Sequence, residues 1–153
     1  PATKLEPGES THRWPQFLPD GKHFLFFVGS SKSDSTGIYV GSLDSPGHTL
    51  VLRNASSGYY VPPGYLLFVR EQTLMAQPFS LSKLAPTGDA FPVAEHVAVS
   101  NHSRPIFSVS ENGMLLYQTG AGGSDIGVDA DLIRNNHRHA RIHRFGDSNA
   151  EVL

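Results

Sequence analysis

Three histidines near the end of the chain form its densest group of side chains that could carry out chemistry. His137, His139 and His143 lie within seven positions in "NNHRHARIH", in a chain with 8 histidines and no cysteine. Neutral imidazole is a common ligand for zinc and other divalent ions, and three protein ligands with an open position are typical of catalytic zinc. Water on such an ion has a pKa of about 7 and attacks esters or phosphoesters as hydroxide. The segment therefore predicts a divalent metal site, with zinc as the metal.

The secondary structure of residues 135–145 decides which histidines share a face. In a strand, where side chains alternate, all three histidines point to one side together with Arg141. In a helix, His139 and His143 are four residues apart on one face, and His137 lies on the far side. The pair of His139 and His143 is common to both alternatives, whereas His137 requires the strand.

Charged side chains beside the histidines could complete a hydrolytic site. Asp129 and Asp131 of "DAD" could ligate the ion or accept the proton of its water, and Arg141 could balance an anionic substrate. These residues predict a small metal-dependent hydrolase acting on ester or phosphoester substrates. The segment lacks the H-E-x-x-H spacing that would make a zinc hydrolase more specific.

The same segment is compatible with a solvated tail, because an Arg- and His-rich end needs no ion to explain it. The histidines outside this segment include His12, His23 and His48, which lie at predicted strand starts or beside turns. A surface or hydrogen-bonded role is usual for histidines in such positions. The alternative function is a non-catalytic scaffold or protein-interaction module.

Composition excludes several other functions. A net charge of -2 provides no basic field for nucleic acid. The absence of cysteine removes disulfides, thiolate zinc ligands and cysteine nucleophiles. The longest strongly apolar run, residues 24–28, is too short to cross a bilayer, so no membrane partner is expected. The first ten residues lack the regions of a signal peptide, and a cytoplasmic location is the expectation.

The elements that must position these residues are short strands. The 15 glycines and 11 prolines are spread between short apolar runs, as is typical of strands joined by turns. Gly21, Gly64 and Gly113 recur at intervals of 43 and 49 residues, and each precedes an apolar segment: "HFLFFV", "YLLFV" and "MLLY". This internal repeat has roughly the length of a four-stranded propeller blade, about 40 to 50 residues.

Residues 12–123 also resemble a known family. The matching strings are "RWPQFLPDGKHFLFF", "GIYVGSLDS", "PPGYLLFVREQTLMAQPF", "GDAFPVAEHV" and "FSVSENGMLLYQTGAGG". They are similar to the TolB-like, WD-repeat-like β-propeller repeats of bacterial serine/threonine protein kinases. The resemblance implies an all-β, incomplete β-propeller of about two and a half four-stranded blades. It implies no catalytic residues, because the strands of that family are a scaffold.

The resemblance also divides the chain and predicts a partner. Residues 1–123 are expected to form the partial β-propeller, and residues 124–153 a His/Arg-rich C-terminal segment outside the family pattern. Closed propellers need about four to eight blades, so two blades and the opening hairpin of a third cannot close a ring. Open blade edges favour pairing with copies of the same chain, and we therefore expect a homo-oligomer.

Overall fold

The computed structural model describes residues 1–111, 113–120, 126–129 and 143–144. Within these ranges the chain forms thirteen β-strands and one 3-10 turn, Ser33–Ser35, and no α-helix. The strands pair in three antiparallel sheets, which confirms the predicted all-β class. None of the described elements is a helix that is long and apolar enough to span a membrane.

The three sheets follow one another along the chain. The first sheet has the order β1-β2-β3-β4, with strands Glu9–Phe17, His23–Ser30, Gly37–Ser42 and Ser45–Arg53. The second contains β5 to β9, with strands Gly58–Val61, Tyr65–Arg70, Thr73–Ser80, Ala85–Pro86 and Phe91–Ala94. The third has the order β10-β11-β12-β13, with strands Phe107–Val109, Leu115–Gln118, Ile126–Asp129 and His143–Arg144.

The three repeat glycines occupy equivalent turns. Gly21, Gly64 and Gly113 each lie between the first and second strands of their sheet. Gly21 and Gly113 have φ values of 67° and 86°, a region that glycine enters without the steric penalty of a Cβ atom. The sequence repeat therefore corresponds to one sheet for each glycine.

The first of these turns is held by an aspartate. Asp20 Oδ1 accepts hydrogen bonds from the backbone N–H groups of Lys22 and His23, each at 2.9 Å, and its Oδ2 lies 2.6 Å from His23 Nδ1. These bonds, led by the His23 N–H, lower the pKa of Asp20 to about 2. The hydrogen-bonded role expected for His23 is thus observed, and it is structural.

The second sheet packs against a neighbour on both faces. Leu66 and Phe68 of β6 belong to a core cluster shared with the first sheet. Leu67 and Val69, which alternate with them, belong to a second cluster shared with the third sheet. The partners that neighbouring sheets contribute are Leu25, Ile38 and Val40 on one side, and Leu115 and Tyr117 on the other. The three sheets therefore stack face to face in chain order.

A third cluster lies on the opposite face of the first sheet. It consists of Phe24, Phe26, Val28 and Tyr39, with Leu50 packed against them, and is called the outer aromatic layer below. Within the described ranges no second sheet contributes to it. Residues 1–8 instead hydrogen-bond to side chains on this face, which is the setting of the site described in the next section.

The third sheet differs from its sequence-based prediction. The family pattern predicts only an opening hairpin, and β10 and β11 form it. The sheet then gains β12, which pairs with β11, and the two-residue β13, which pairs with β12. "IGVD" carries only two apolar residues, too weak a pattern to predict a strand. None of the three sheets closes on itself within the described residues. The predicted domain boundary between residues 123 and 124 stays a prediction, and the pairing of β11 with β12 crosses it.

The first testable prediction concerns Asp20. Its pKa is depressed in the folded chain, so its ionised form contributes stability above the ordinary value of 3.8, and this is lost as the pH falls towards about 2. In an NMR titration the Asp20 carboxyl should change shift with a midpoint of about 2. His23→Ala should move the midpoint upward, whereas Asp89→Asn, at an exposed site, should not. A midpoint at 3.8 in the unaltered protein would contradict the hydrogen-bonding pattern.

Candidate metal centre

The predicted tail site lies largely outside the described residues. This applies to His137, His139, Asp131 and Arg141. His143 is the first residue of β13 and pairs with Val128, while Asp129 ends β12 and pairs with Leu115. The backbone thus brings Asp129 and His143 onto neighbouring strands, and the tail site itself stays a prediction.

A different cluster lies on the outer face of the first sheet. Glu9, His12 and His48 each offer one ligand atom, and these atoms all lie within 4.8 Å of one another. Among the residues that the structure describes, this is the one group of three or more such side chains that could hold a metal ion. Glu9 and His12 come from β1 and His48 from β4, so the cluster joins the two edge strands of the sheet.

A β-bulge brings Glu9 and His12 together. In a regular strand, residues three apart point to opposite faces. Glu9 pairs with Ser30 and Thr11 pairs with Gly29, so β1 has one more residue than β2 over this stretch. The extra residue shifts the alternation by one, which allows Glu9 and His12 to meet on the same side.

Aromatic packing holds His48 in position. His48 pairs with Gly41 of β3, and a Cβ atom at Gly41 would lie 2.7 Å from Phe24 Cζ. Glycine therefore lets the Phe24 ring lie directly against β3. The His48 ring meets Phe26 and Tyr39 edge to face, with centroid separations of 5.6 and 5.3 Å. The histidine is thus enclosed by the outer aromatic layer.

The carboxylate of Glu9 is the centre of the cluster. Its Oε2 lies 2.8 Å from the backbone nitrogen of Glu6 and 2.9 Å from His12 Nε2, and its Oε1 lies 3.0 Å from His48 Nε2. The side chains are well buried, with exposed fractions of 2% for His48, 5% for Glu9 and 12% for His12. Burial alone raises the pKa of Glu9, but these hydrogen bonds outweigh it and hold that pKa below 4.5. The site therefore contains an ionised carboxylate between two imidazoles.

The second ring nitrogens of the two histidines have different surroundings. His12 Nδ1 lies 2.9 Å from Thr3 Oγ1, whereas His48 Nδ1 is buried without a hydrogen-bond partner. Since each Nε2 donates to Glu9, a neutral His48 leaves a bare lone pair at Nδ1. An unpaired buried polar atom costs about 1 to 3 kcal/mol. Buried polar side-chain atoms usually have a hydrogen-bond partner, so the unpaired Nδ1 distinguishes His48 from an ordinary structural histidine.

Tyr39 borders the cluster without being a ligand candidate. Burial raises the pKa of its hydroxyl, and the negative charges of Glu9 and Glu6 raise it further. The hydroxyl therefore stays protonated and donates a hydrogen bond to the Ser35 carbonyl oxygen at 3.0 Å.

The distances at Glu9 are compatible with a bound ion. Ligand atoms on tetrahedral zinc lie roughly 3.3 to 3.5 Å apart, because zinc–nitrogen bonds are about 2.0 to 2.1 Å long. The two imidazole-to-carboxylate distances of 2.9 and 3.0 Å are a few tenths of an ångström shorter. The two distances run to different oxygens of Glu9, so an ion that replaced the two Nε2 protons would be bound by both oxygens or would require the carboxylate to rotate.

The sequence pattern did not reveal this cluster. It predicts surface or hydrogen-bonded roles for His12 and His48 and gives no role to Glu9. The only local signal is the E-x-x-H spacing of Glu9 and His12, which places two ligands on one face of a helix but on opposite faces of a regular strand. The bulge and the β4 contact that complete the site depend on the folded sheet.

Comparisons of the chain with protein-family models, with curated proteins and with solved structures found no significant match. The resemblance to TolB-like propeller repeats therefore stays a prediction from the quoted strings.

Proposed function

We propose that this protein binds one divalent metal ion, with zinc as the best match, through Glu9, His12 and His48. The observation that carries the proposal is the convergence of three ligand atoms within 4.8 Å in a cluster of half-buried residues. Two imidazoles and one carboxylate are a ligand set that zinc uses in proteins. The ion would join β1 to β4 across the outer face of the first sheet.

The protonation of the cluster supports this proposal. Glu9 is already ionised, so it can bind an ion without first losing a proton. His12 can bind through Nε2 while its Nδ1–H donates to Thr3, which is the usual second hydrogen bond of a zinc-bound histidine. His48 Nδ1 lacks a partner in either tautomer, so metal binding adds no new unpaired atom there.

Zinc binding should be measurable on metal-free protein carrying no affinity tag. Calorimetry with competition by a chromophoric chelator should give one equivalent of zinc bound to the clustered site. His12→Ala and Glu9→Gln should weaken this binding at least about 10-fold, since loss of even an outer-shell partner costs roughly 10- to 100-fold. His23→Ala is the matched control, because His23 also pairs with a carboxylate three residues away but lies outside the cluster.

The same titration separates the cluster from the predicted tail site. A variant with His137, His139 and His143 replaced by alanine should keep its zinc if the cluster is the site. Loss of zinc in that variant, with retention in His12→Ala, would refute the cluster and favour the tail. Zinc at 100 times its dissociation constant should raise the free energy of unfolding by about 2.7 kcal/mol. Circular dichroism would verify that each variant is folded.

Hydrolysis of ester or phosphoester substrates is the activity that such an ion would support. Three protein ligands leave a fourth position for water, whose pKa on zinc falls to about 7. The side chains of the described cluster have little exposed surface. Asp129, Asp131 and Arg141 are predicted to assist hydrolysis only if the ion binds to the tail histidines. The zinc titration of the variant without those histidines therefore tests these roles as well.

If the bound ion supports hydrolysis of esters or phosphoesters, the hydrolysis rate should depend on that ion. We expect the zinc-loaded protein to hydrolyse 4-nitrophenyl esters or phosphotriesters, and a chelator to abolish the reaction. His12→Ala should reduce the rate at least about 10-fold, while His23→Ala leaves it unchanged. A rate that is indifferent to chelator would rule out the hydrolase.

A non-catalytic, self-associating module is the second candidate function. It is favoured by an exposed apolar row on the third sheet, formed by Met114, Leu116 and Ile126. Leu115 and Tyr117 of β11 lie on the opposite face of the strand from Leu116, and they belong to the core. The first and second sheets already bury such rows against a neighbouring sheet, and the same face of a second copy would supply the missing layer.

Light scattering tests the self-associating module. We expect a stable homo-oligomer at micromolar concentration, and we expect Leu116→Lys to dissociate it by placing a charge in the apolar row. Leu43→Lys is the control, because Leu43 is similarly exposed but follows β3 in the first sheet. A monomer at micromolar concentration in the unaltered protein would be inconsistent with this candidate.

A further inference from the structure

Glu6 lies beside the candidate metal centre without belonging to the cluster. Its Oε1 is 4.0 Å from His48 Nε2, and its side chain is 64% exposed. The backbone of Glu6 is held in place by Glu9, because Glu6 N–H donates to Glu9 Oε2 at 2.8 Å and Glu9 N–H donates to the Glu6 carbonyl at 3.0 Å. The main chain is thus fixed at the edge of the site, while the carboxylate has room to rotate.

We infer that Glu6 is the fourth ligand of the ion and closes the site against water. This inference rests on the proposed binding of metal by Glu9, His12 and His48. Ligand atoms on tetrahedral zinc lie roughly 3.3 to 3.5 Å apart, and the Glu6 carboxylate lies 4.0 Å from His48 Nε2, so its side chain would have to rotate toward the other ligand atoms to bind the ion. Its exposure allows this movement without disturbing the core.

Charge balance favours the same arrangement. The ion carries two positive charges, and a buried net charge is costly unless it is paired. Glu9 supplies one negative charge and Glu6 supplies the second, which leaves a neutral site when both histidines bind as neutral imidazoles.

A fourth protein ligand has consequences for function. Structural zinc sites have four protein ligands, whereas catalytic sites keep one position for water. With Glu6 bound, the ion is a structural link between β1, β4 and the segment that precedes β1. Glu6 would then compete with water for the fourth position and lower the rate of the hydrolysis considered above, and its removal would leave that position to water.

Cobalt(II) provides the experiment, because its visible absorption reports coordination. The full-length protein with His137, His139 and His143 replaced by alanine would be titrated with cobalt(II), alone and with Glu6→Gln. We expect a pH-independent tetrahedral spectrum with Glu6 present. Glu6→Gln should bind at least about 10-fold more weakly, and its spectrum should titrate near neutral pH as the newly bound water ionises. Glu95→Gln, a change of an exposed glutamate after β9, should have no effect.

The outcomes separate the inference from the proposed function. Failure of the Glu6-containing protein to bind cobalt(II) would refute the metal site itself and the inference with it. Equal affinity and an equally pH-dependent spectrum with and without Glu6→Gln would overturn the fourth-ligand inference alone. Loss of affinity with the expected new titration would support both. Because Glu6 is exposed, Glu6→Gln is not expected to impair folding, and circular dichroism would verify this.

Discussion

Each apolar sheet face of this protein is stabilised by removal from water, and within the described residues only the middle sheet has a sheet on either side. Strands such as β6 carry apolar side chains on both faces, so the stack needs a layer beyond each of its ends. On the first sheet that layer is built from aromatic rings and from residues that precede β1. On the third sheet an apolar row remains exposed within the described residues. The two ends of the stack are therefore chemically different.

The cover on the first sheet explains why a polar cluster can exist there. Aromatic rings surround His48 and keep water from its ring, which strengthens each hydrogen bond to Glu9. The same exclusion of water makes a single unpaired nitrogen expensive, and His48 Nδ1 is such an atom. An ionised carboxylate with two imidazoles is stable in this place because Glu6 N–H contributes a third donor. The polar centre and the apolar cover thus depend on each other.

Sequence patterns predicted the parts of the fold that depend on local chemistry. The all-β class and the turns at Gly21, Gly64 and Gly113 follow from apolar runs separated by residues that tolerate tight turns. The candidate metal centre depends on two contacts that no local pattern contains. One is the bulge that places Glu9 beside His12, and the other is the approach of His48 from the far edge of the sheet. Prediction from spacing therefore favoured the tail histidines, which are adjacent in the chain.

The bulge in β1 also determines how easily such a site can arise or disappear. Glu9 and His12 are three residues apart, so a regular strand over the same residues would turn Glu9 away from His12, while most of the strand pairs of β1 could persist. A chain with the same ligands at the same spacing but with a regular first strand would therefore share the fold and lack the centre.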